Sequence, residues 1–427
     1  MAELRHPCRG TSLADHVLHT PSATASERAR VRLLIYCATI GEYRAISPVI
    51  SELESRYGEV ACTFVLLDPA YAQALAKDRP EARIFRAPGP SLARNHALLK
   101  EARPQLVLFA EGPALPGRFP RPLDLGIIAA CAARRIPLVV ANACLYRPQF
   151  GSRIDRIEAR LFTAMFLGAV TRWYASHPRF AEALISAGAP RERVRITGDL
   201  KFDTAALLAQ TTPPPETGRF IERLTSDGTS VLVAGCVTAV DEVESVIQGW
   251  QEARMAGLNL RVVVAPRYVN NEAAMRGVFG ALEGAGVRFV RRSQFRDGEP
   301  VPDVTVVDTI GELAFLYQHA TVAYAGRNHG VLEPLAAAVP TLVSSETNWK
   351  ADNSSYPLYA MLAEDEVIYR LGPEESLATP IIEFLRDPAL RARQRARISE
   401  AFARHRGSAQ RTVDDLEAGG IAGLRGS

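Results

Sequence analysis

The amino-acid sequence predicts an α/β protein with two tandem, Rossmann-like, doubly wound domains, each built on a parallel sheet. The chain has 427 residues, which is more than one hydrophobic core usually serves. Short apolar runs recur along it, and each is followed by a segment whose apolar residues have helical spacing. Apolar strands that alternate with helices form parallel sheets covered on both faces, and ligands bind at the carboxyl ends of such strands. We therefore expect a ligand cleft between the two domains.

The order of the runs predicts the domain boundaries. The first set lies at 32–38, 60–67, 105–110, 136–141, 171–176 and 194–197. The pattern stops at 207–220, where three consecutive prolines and polar neighbours interrupt it. It then resumes at 230–235, 260–266, 287–291, 303–308, 321–326, 340–344 and 366–370. We predict a poorly ordered segment at 1–28, a first domain at 29–208, a linker at 209–219, a second domain at 220–386, and helices and a tail at 387–427.

Composition excludes several classes of protein. The chain has 50 Lys and Arg against 47 Asp and Glu, a net charge of +3, which argues against a nucleic-acid binder. Its 6 cysteines form no CxxC pair, which favours buried, reduced thiols and a cytoplasmic location. We see no signal-peptide core and no apolar run of about 18 residues, so we expect no membrane span. Peripheral contact with a membrane surface stays open.

Polar residues follow three strands of the first domain. Glu42 begins a helix after the first strand and could be a general base, or only a first-turn carboxylate favoured by the helix dipole. Glu111 follows the third strand, and could be catalytic or hold a loop. Asn142 follows the fourth strand, where it could cap the next helix or contact a substrate.

The second domain offers candidates for binding an anion. Gly235 permits close backbone approach after its first strand, although the sequence there is no Walker loop. Arg267 ends the next strand, where it could bind phosphate or form a surface salt bridge. After another strand, Thr309, Gly311 and Glu312 open a helix, either as an anion site or as a capping box.

The polar loop after the strand at 321–326 is the most informative segment. Arg327 and the loop amides, including those at Asn328 and Gly330, could bind a phosphate. Glu333, in the first turn of the next helix, could accept both hydroxyls of a ribose. His329 could act as a base, but a histidine in such a loop is more often a local hydrogen-bonding group.

These motifs, taken in order, resemble the Kdo (3-deoxy-D-manno-oct-2-ulosonic acid) transferases of lipopolysaccharide synthesis, which have the two-domain GT-B fold. The likeness extends from about residue 31 to 349. It is carried by Thr39-Ile-Gly-Glu42, Glu111, Asn142-Ala143, Gly198-Asp-Leu-Lys-Phe-Asp203, Pro266-Arg267, Asp308-Thr-Ile-Gly-Glu-Leu313 and Leu332-Glu-Pro334. The resemblance makes the first domain the acceptor domain and the second domain the nucleotide-sugar donor domain.

The resemblance implies inverting transfer of a sugar from a CMP-activated donor, without a metal or another cofactor. The glutamate of the Gly-Glu motif, here Glu42, would be the catalytic base. The other matching motifs would contact the nucleotide through Arg267, Gly311, Glu312 and Glu333, and Lys201 would line the cleft. The partners would be the nucleotide-sugar donor and an acceptor hydroxyl.

The sequence also departs from the family's usual pattern. The usual Gly-Ser-Thr-His is Gly235-Cys-Val-Thr238, the usual Asn-Ala-Arg-Leu is Asn142-Ala-Cys-Leu145, and the loop at 327–330 is shortened. The amino-terminal apolar anchor usual in the family is not found. These departures keep three alternatives open: transfer of another nucleotide sugar to a small or peptide acceptor in specialised metabolism, a UDP-sugar epimerase of the same fold, and a non-catalytic nucleotide-sugar sensor.

Overall fold

The chain folds into two compact α/β units. A computed structural model describes residues 12–21, 29–112, 125–144, 167–296, 300–327, 330–344, 356–372, 375–421 and 424. The first unit contains the described residues up to Thr204 together with those from Gly407 onward, and the second contains those within Ala205–Arg406.

The first unit is built on an eight-stranded sheet. In chain order the strands are β1 (Val17–His19), β2 (Val31–Cys37), β3 (Val60–Leu66), β4 (Arg83–Arg86), β5 (Leu106–Phe109), β6 (Leu138–Ala143), β7 (Arg172–Ala175) and β8 (Val194–Ile196). They are arranged as β1-β4-β3-β2-β5-β6-β7-β8, and every pair is parallel except β1 with β4. The carboxyl ends of β2, β5 and β6 are therefore neighbours at one edge.

Helices cover both faces of this sheet. They are α1 (Ile40–Tyr57), α2 (Ala72–Asp78), α3 (Leu92–Ala102), α4 (Leu125–Arg134), α5 (Pro178–Ser186) and α6 (Leu200–Leu208), in whose middle the unit boundary falls. Because β2, β5 and β6 are mainly apolar on both faces, alternate residues pack into separate cores on the two sides of the sheet. One core contains Leu33 and Ile35, and the other contains Leu34 and Tyr36.

The second unit contains a seven-stranded parallel sheet. Its strands are β9 (Ser230–Val237), β10 (Leu260–Pro266), β11 (Val290–Arg291), β12 (Val304–Val306), β13 (Val322–Ala325), β14 (Thr341–Val343) and β15 (Tyr369–Arg370). The order β11-β12-β10-β9-β13-β14-β15 places β9 between β10 and β13. The strand order reverses direction there, which is where doubly wound sheets bind ligands.

Eight helices are described in the second unit. They are α7 (Pro215–Thr225), α8 (Val240–Met255), α9 (Glu272–Gly284), α10 (Leu313–Tyr317), α11 (Leu332–Ala336), α12 (Tyr356–Glu364), α13 (Ala378–Arg386) and α14 (Pro388–His405). As in the first unit, the sheet residues divide between two cores, with Leu232 in one and Val233 in the other. The two doubly wound parallel sheets confirm the predicted fold class.

The structure differs from the sequence prediction at the amino terminus and around the prolines. Within 1–28, residues 13–16 form a 3₁₀ turn, and β1 pairs with β4, so this part is ordered. Helix α7 begins at Pro215, inside the predicted linker, because proline fits the first turn of a helix, where no amide donor is needed.

The carboxyl-terminal segment, predicted to be helical, forms α14 and a further helix, α15 (Ser408–Ala418). Helix α15 is part of the first unit. Its apolar side chains Ala409, Val413 and Leu416 join the same core as those of α1. Asp203, the last residue of the 198–203 motif, caps it by accepting the amides of Gly407 at 2.6 Å and Ala409 at 2.8 Å.

The cysteines within the described part of the chain are free thiols, as expected. Cys37, Cys62, Cys131 and Cys144 are buried, and Cys236 is half-buried. Among the helices in the described ranges, we find none with the length and apolar character needed to cross a membrane.

Candidate functional site

Glu42 lies in the first turn of α1, immediately beyond the carboxyl end of β2. Thr39 caps the helix by accepting the Glu42 amide at 3.2 Å, and the Glu42 carboxylate reaches back to accept the Ala38 amide at 2.6 Å. This reciprocal capping holds the half-buried carboxylate at the edge of the sheet. Only its Oε2 atom is used, and no hydrogen bond to Oε1 arises from the described residues.

The surroundings of Glu42 raise its pKa from the ordinary 4.5 to about 7. Burial is the main cause, since it disfavours the charged form. The Ala38 hydrogen bond lowers the pKa, the Glu111 carboxylate raises it, and the Lys201 ammonium lowers it. A carboxylate with a pKa near neutrality can both accept and release a proton under physiological conditions.

Glu111 and Lys201 form an ion pair close to Glu42. Glu111 follows β5, Lys201 lies in the first turn of α6, and Lys201 Nζ is 3.0 Å from Glu111 Oε1. The Lys201 side chain is 43% exposed and that of Glu111 is 24% exposed, so solvent and ligands can reach the pair. The Glu111 charge raises the pKa of Lys201, which keeps this ammonium protonated. The structure thus brings Glu42, Glu111 and Lys201 into one electrostatic cluster.

Asn142 is buried and has a positive φ of 49°. Its Oδ1 accepts the Leu200 amide at 3.0 Å, so it caps α6, a helix far along the chain. Asp199 accepts the Lys201 amide at 2.9 Å, and burial raises the Asp199 pKa. Asn142 and Asp199 therefore fix the start of the helix that carries Lys201.

The second unit contains a buried carboxylate that the sequence analysis missed. Glu242, in the first turn of α8, is 1% exposed. Its Oε2 accepts the Thr238 amide at 2.9 Å and the Thr238 hydroxyl at 2.7 Å, and its Oε1 accepts the Tyr324 hydroxyl at 3.0 Å and the Arg327 amide at 2.8 Å. This one side chain ties the loop after β9 to the loop after β13. The available signal was its place in the first turn of a helix that directly follows a strand.

Arg327 is held in place by the residue beside Glu242. Its guanidinium donates two hydrogen bonds to the Asp241 carboxylate, one of them at 3.2 Å. The side chain is 19% exposed, and Asp241 neutralises its charge. Arg327 therefore links the loop after β13 to the start of α8, and its charge is already paired with a carboxylate.

Glu312 is also engaged inside the second unit. It is 8% exposed, forms an ion pair with Arg292 at 2.8 Å, and accepts the hydroxyls of Thr217, at 2.6 Å, and Thr309. The predicted capping box is not formed: α10 begins at Leu313 with Glu312 itself as the N-cap and without a side-chain capping hydrogen bond, and the Thr309 hydroxyl donates to the Glu312 carboxylate instead. Gly311 beside it has a φ of 93°, and a Cβ added there would have no atom of the described residues within 4 Å.

Cys236, Arg267 and Glu333 are grouped at the carboxyl edge of the second sheet. The pKa of the Cys236 thiol is raised to about 12, mainly by burial and also by the Glu333 carboxylate, while the Arg267 guanidinium acts to lower it. Arg267 is exposed at the end of β10, and Glu333 is half-buried in α11. A cation and a carboxylate thus flank this loop.

Two glycines let the loop after β13 approach Cys236. A Cβ on Gly326 would stand 2.2 Å from the Cys236 carbonyl oxygen, and one on Gly330 would stand 2.9 Å from its sulfur. Gly330 also has a φ of 83°, which favours glycine. At Gly235, a Cβ would meet the Tyr317 hydroxyl at 1.9 Å. Side chains are therefore excluded where the two backbones meet.

Asn328 and His329, both predicted at this loop, lie outside the described residues. Within the described ranges, no three His, Cys, Asp or Glu side chains come together as metal ligands would.

Comparison with known proteins gives consistent matches. A family model described as 3-Deoxy-D-manno-octulosonic-acid transferase (kdotransferase) matches residues 14–204, which lie within the first unit. The 3-deoxy-D-manno-octulosonic acid transferase of Haemophilus influenzae is 22% identical over 398 residues, covering 90% of this chain and 86% of that protein. The enzyme of the same name from Bordetella pertussis is 25% identical over 407 residues, with coverage of 90% and 86%.

Solved structures share the fold. The crystal structure of UDP-GlcNAc 2-epimerase from Neisseria meningitidis bound to UDP-GlcNAc superimposes with a TM-score of 0.62 at 15% identity, covering 90% of this chain and 99% of that one. At this identity the likeness concerns the architecture alone. Together with the two parallel-sheet units, it agrees with the GT-B fold.

Proposed function

Since the chain is a Kdo transferase-like glycosyltransferase, we propose that it transfers Kdo or a related sugar from a CMP-activated donor to an acceptor hydroxyl. The proposal includes inversion at the anomeric carbon and Glu42 as the general base. The observation that carries it is the Glu42 carboxylate, which has a pKa of about 7 and stands beside an ion pair at the carboxyl edge of the first sheet. The resemblance of the Gly-Glu motif assigns the same residue.

The base would act in a single displacement. Deprotonated Glu42 takes the proton of the acceptor hydroxyl while the acceptor oxygen forms its bond to the anomeric carbon. The bond from that carbon to the phosphate oxygen breaks, and CMP leaves with the electron pair on the face opposite to the attack, which inverts the configuration. Glu42 Oε1 is the atom best suited to take the proton, because Oε2 already accepts the Ala38 amide.

The contacts in the second unit suggest that some of its predicted donor-binding residues bind the donor and that others hold the site in shape. Exposed Arg267 suits the phosphate, and Glu333 suits the ribose hydroxyls. The backbone at Gly311 is open to a ligand. Glu312 and Arg327 are occupied by Arg292 and Asp241, so we propose that they shape the site without binding the donor.

Two finer features of the proposal rest on the resemblance. We propose that the reaction needs no metal, with Arg267 and backbone amides stabilising the departing phosphate. Activity that persists after treatment with EDTA would agree with this, and loss of activity restored by Mg²⁺ would overturn it. We also propose a role in lipopolysaccharide synthesis. The test is transfer of the sugar to a lipid A-type acceptor in vitro, and failure of that transfer would contradict this role.

Replacing the proposed base tests the assignment directly. Glu42→Gln keeps the size of the side chain but cannot accept the proton, so we expect turnover to fall by at least about 10²-fold. Binding of CMP, followed by thermal shift, should be retained. Glu59→Gln, an exposed glutamate of the same unit, is the matched control and should leave both properties unchanged. Full turnover by the Glu42 variant would refute the role of base.

The donor and the class of reaction are tested separately. A thermal-shift screen should show selective stabilisation by CMP over UDP and GDP. A response to UDP alone would overturn the donor assignment. Incubation of the enzyme with donor and no acceptor should leave the nucleotide sugar unchanged, whereas an isomerised nucleotide sugar would identify an epimerase.

A further inference from the structure

A cavity of about 470 Å³ opens on the first unit, away from the residues described above. It is lined by Leu99, Lys100, Arg103, Pro104, Arg134 and Ile136. These residues lie where α3 and α4 end and the chain turns into β5 and β6, which are adjacent parallel strands. The cavity is therefore at the amino edge of the sheet, while Glu42 is at the carboxyl edge.

The two edges are separated by the length of the strands. Strand β2 has seven residues, which corresponds to roughly 20 Å. A ligand in the cavity would thus be too far from Glu42 to be the group transferred. The cavity is a separate site, and its existence does not depend on the proposed reaction.

The rim of the cavity is cationic. Lys100, Arg103 and Arg134 form no salt bridge with a carboxylate of the described residues, and neither does the adjacent Arg135. Other cations of the unit are paired, for example Arg79 with Glu54 and Arg172 with Asp415. Arg134 Nε instead donates to His96 Nδ1 at 3.1 Å.

The backbone holds two of these arginines in an uncommon conformation. Arg103 has a φ of 45° and Arg135 a φ of 54°, directly after α3 and α4. Glycine is the usual residue in this left-handed position at the end of a helix, because a Cβ adds strain there. Attraction of cations to helix ends explains Lys100 and Arg134 in the last turns, but not why arginine follows each helix.

We propose that this cavity binds a phosphate-bearing anion. Arginine guanidinium groups and a lysine that line one open cavity suit phosphate oxygens, because each can supply charge-assisted hydrogen bonds. The apolar residues Leu99, Pro104 and Ile136 in the lining suit the carbon portion of a phosphate ester. The same phosphate chemistry is found in soluble esters and in anionic lipid headgroups.

Binding measurements on the full chain separate these two sources. One arm titrates glycerol 3-phosphate, and the other uses vesicles of phosphatidylglycerol in phosphatidylcholine, with pure phosphatidylcholine as the blank. We expect saturable binding in one of the arms. The double variant Lys100→Ala with Arg134→Ala should weaken it by at least about 10-fold. Lys77→Ala, which removes an exposed cation elsewhere in the unit, should bind normally.

A second variant excludes a folding defect as the cause. Arg103→Gly removes the cation and relieves the left-handed strain, so it should raise the Tm while weakening binding. Glu42→Gln should bind the anion as the unaltered chain does, which keeps this test independent of the proposed reaction. The absence of binding in both arms, or equal binding by the cavity variants and Lys77→Ala, would overturn the proposal.

Discussion

Replacing the charged neighbours of Glu42 one at a time should move the acidic limb of the pH–rate profile in opposite directions. Glu111→Gln removes a charge that raises the Glu42 pKa and leaves the Lys201 ammonium unpaired, so the limb should move to lower pH. Lys201→Met removes a charge that lowers the pKa and leaves Glu111 unpaired, so the limb should move to higher pH.

The size of the effect follows from the pKa of about 7. Half of the Glu42 side chains are then deprotonated at pH 7, about a tenth at pH 6 and about a hundredth at pH 5, and kcat/KM should decrease in the same proportion. With the ordinary pKa of 4.5, the profile would be flat down to about pH 5. A movement of the limb by one pH unit would change kcat/KM at pH 5 about tenfold.

The assay is kcat/KM from pH 4.5 to 9 at constant ionic strength, with Glu59→Gln as the control. The position of the limb is the readout, because loss of a substrate contact would lower the whole curve without moving it. Movement of both variants in the same direction would refute the reasoning. A limb near pH 4.5 in the unaltered chain would do so as well.

Three further predictions concern stability. Because folding raises the Glu42 pKa, ionisation of Glu42 opposes folding; this effect is absent below about pH 4.5 and complete above about pH 7. Glu42→Gln should therefore have a higher Tm than the unaltered chain at pH 8, and the two Tm values should converge at pH 4. Gly326→Ala forces a Cβ against the Cys236 carbonyl, so it should lower the free energy of unfolding by about 1–3 kcal/mol and should also weaken nucleotide binding. The control Gly280→Ala, in an open helical position, should raise the free energy of unfolding by about 0.5–1 kcal/mol. Asp203→Ala leaves two amides of α15 uncapped and should lower the free energy of unfolding, measured by chemical denaturation, by about 0.5–2 kcal/mol. An equal loss of unfolding free energy in Asp203→Asn would contradict the capping role.

The sequence predicted the fold because the central strands are mainly apolar on both faces. Both sheets follow from that pattern and from the rule that parallel strands need helical connections. The positions of Glu42 and Glu111 beyond the ends of β2 and β5 could be predicted as well, whereas Asn142, expected after its strand, lies inside β6 near its carboxyl end. That they would share an edge required the strand order, which periodicity does not contain.

Partners distant in the chain were not predictable from local pattern. Glu312 meets Arg292 and Thr217, which come from other elements, so a residue expected to bind the donor is found in a buried network. Glu242 is buried although Asp241 and Glu244 in the same segment are exposed, and its partners Tyr324 and Arg327 come from a distant part of the chain. The helical spacing of 408–418 likewise predicts a helix without indicating the unit against which it packs.

The origin of α15 has a consequence for biosynthesis. Part of the core that surrounds α1 comes from residues made after the whole second unit. At about 5–20 residues per second, a ribosome needs roughly 10 to 40 seconds to translate Ala205–Arg406. During that time the nascent amino-terminal unit lacks Val413 and Leu416, and Arg56 and Tyr57 lack their partner Glu417. The amino-terminal unit can thus be completed only after the second unit has been translated.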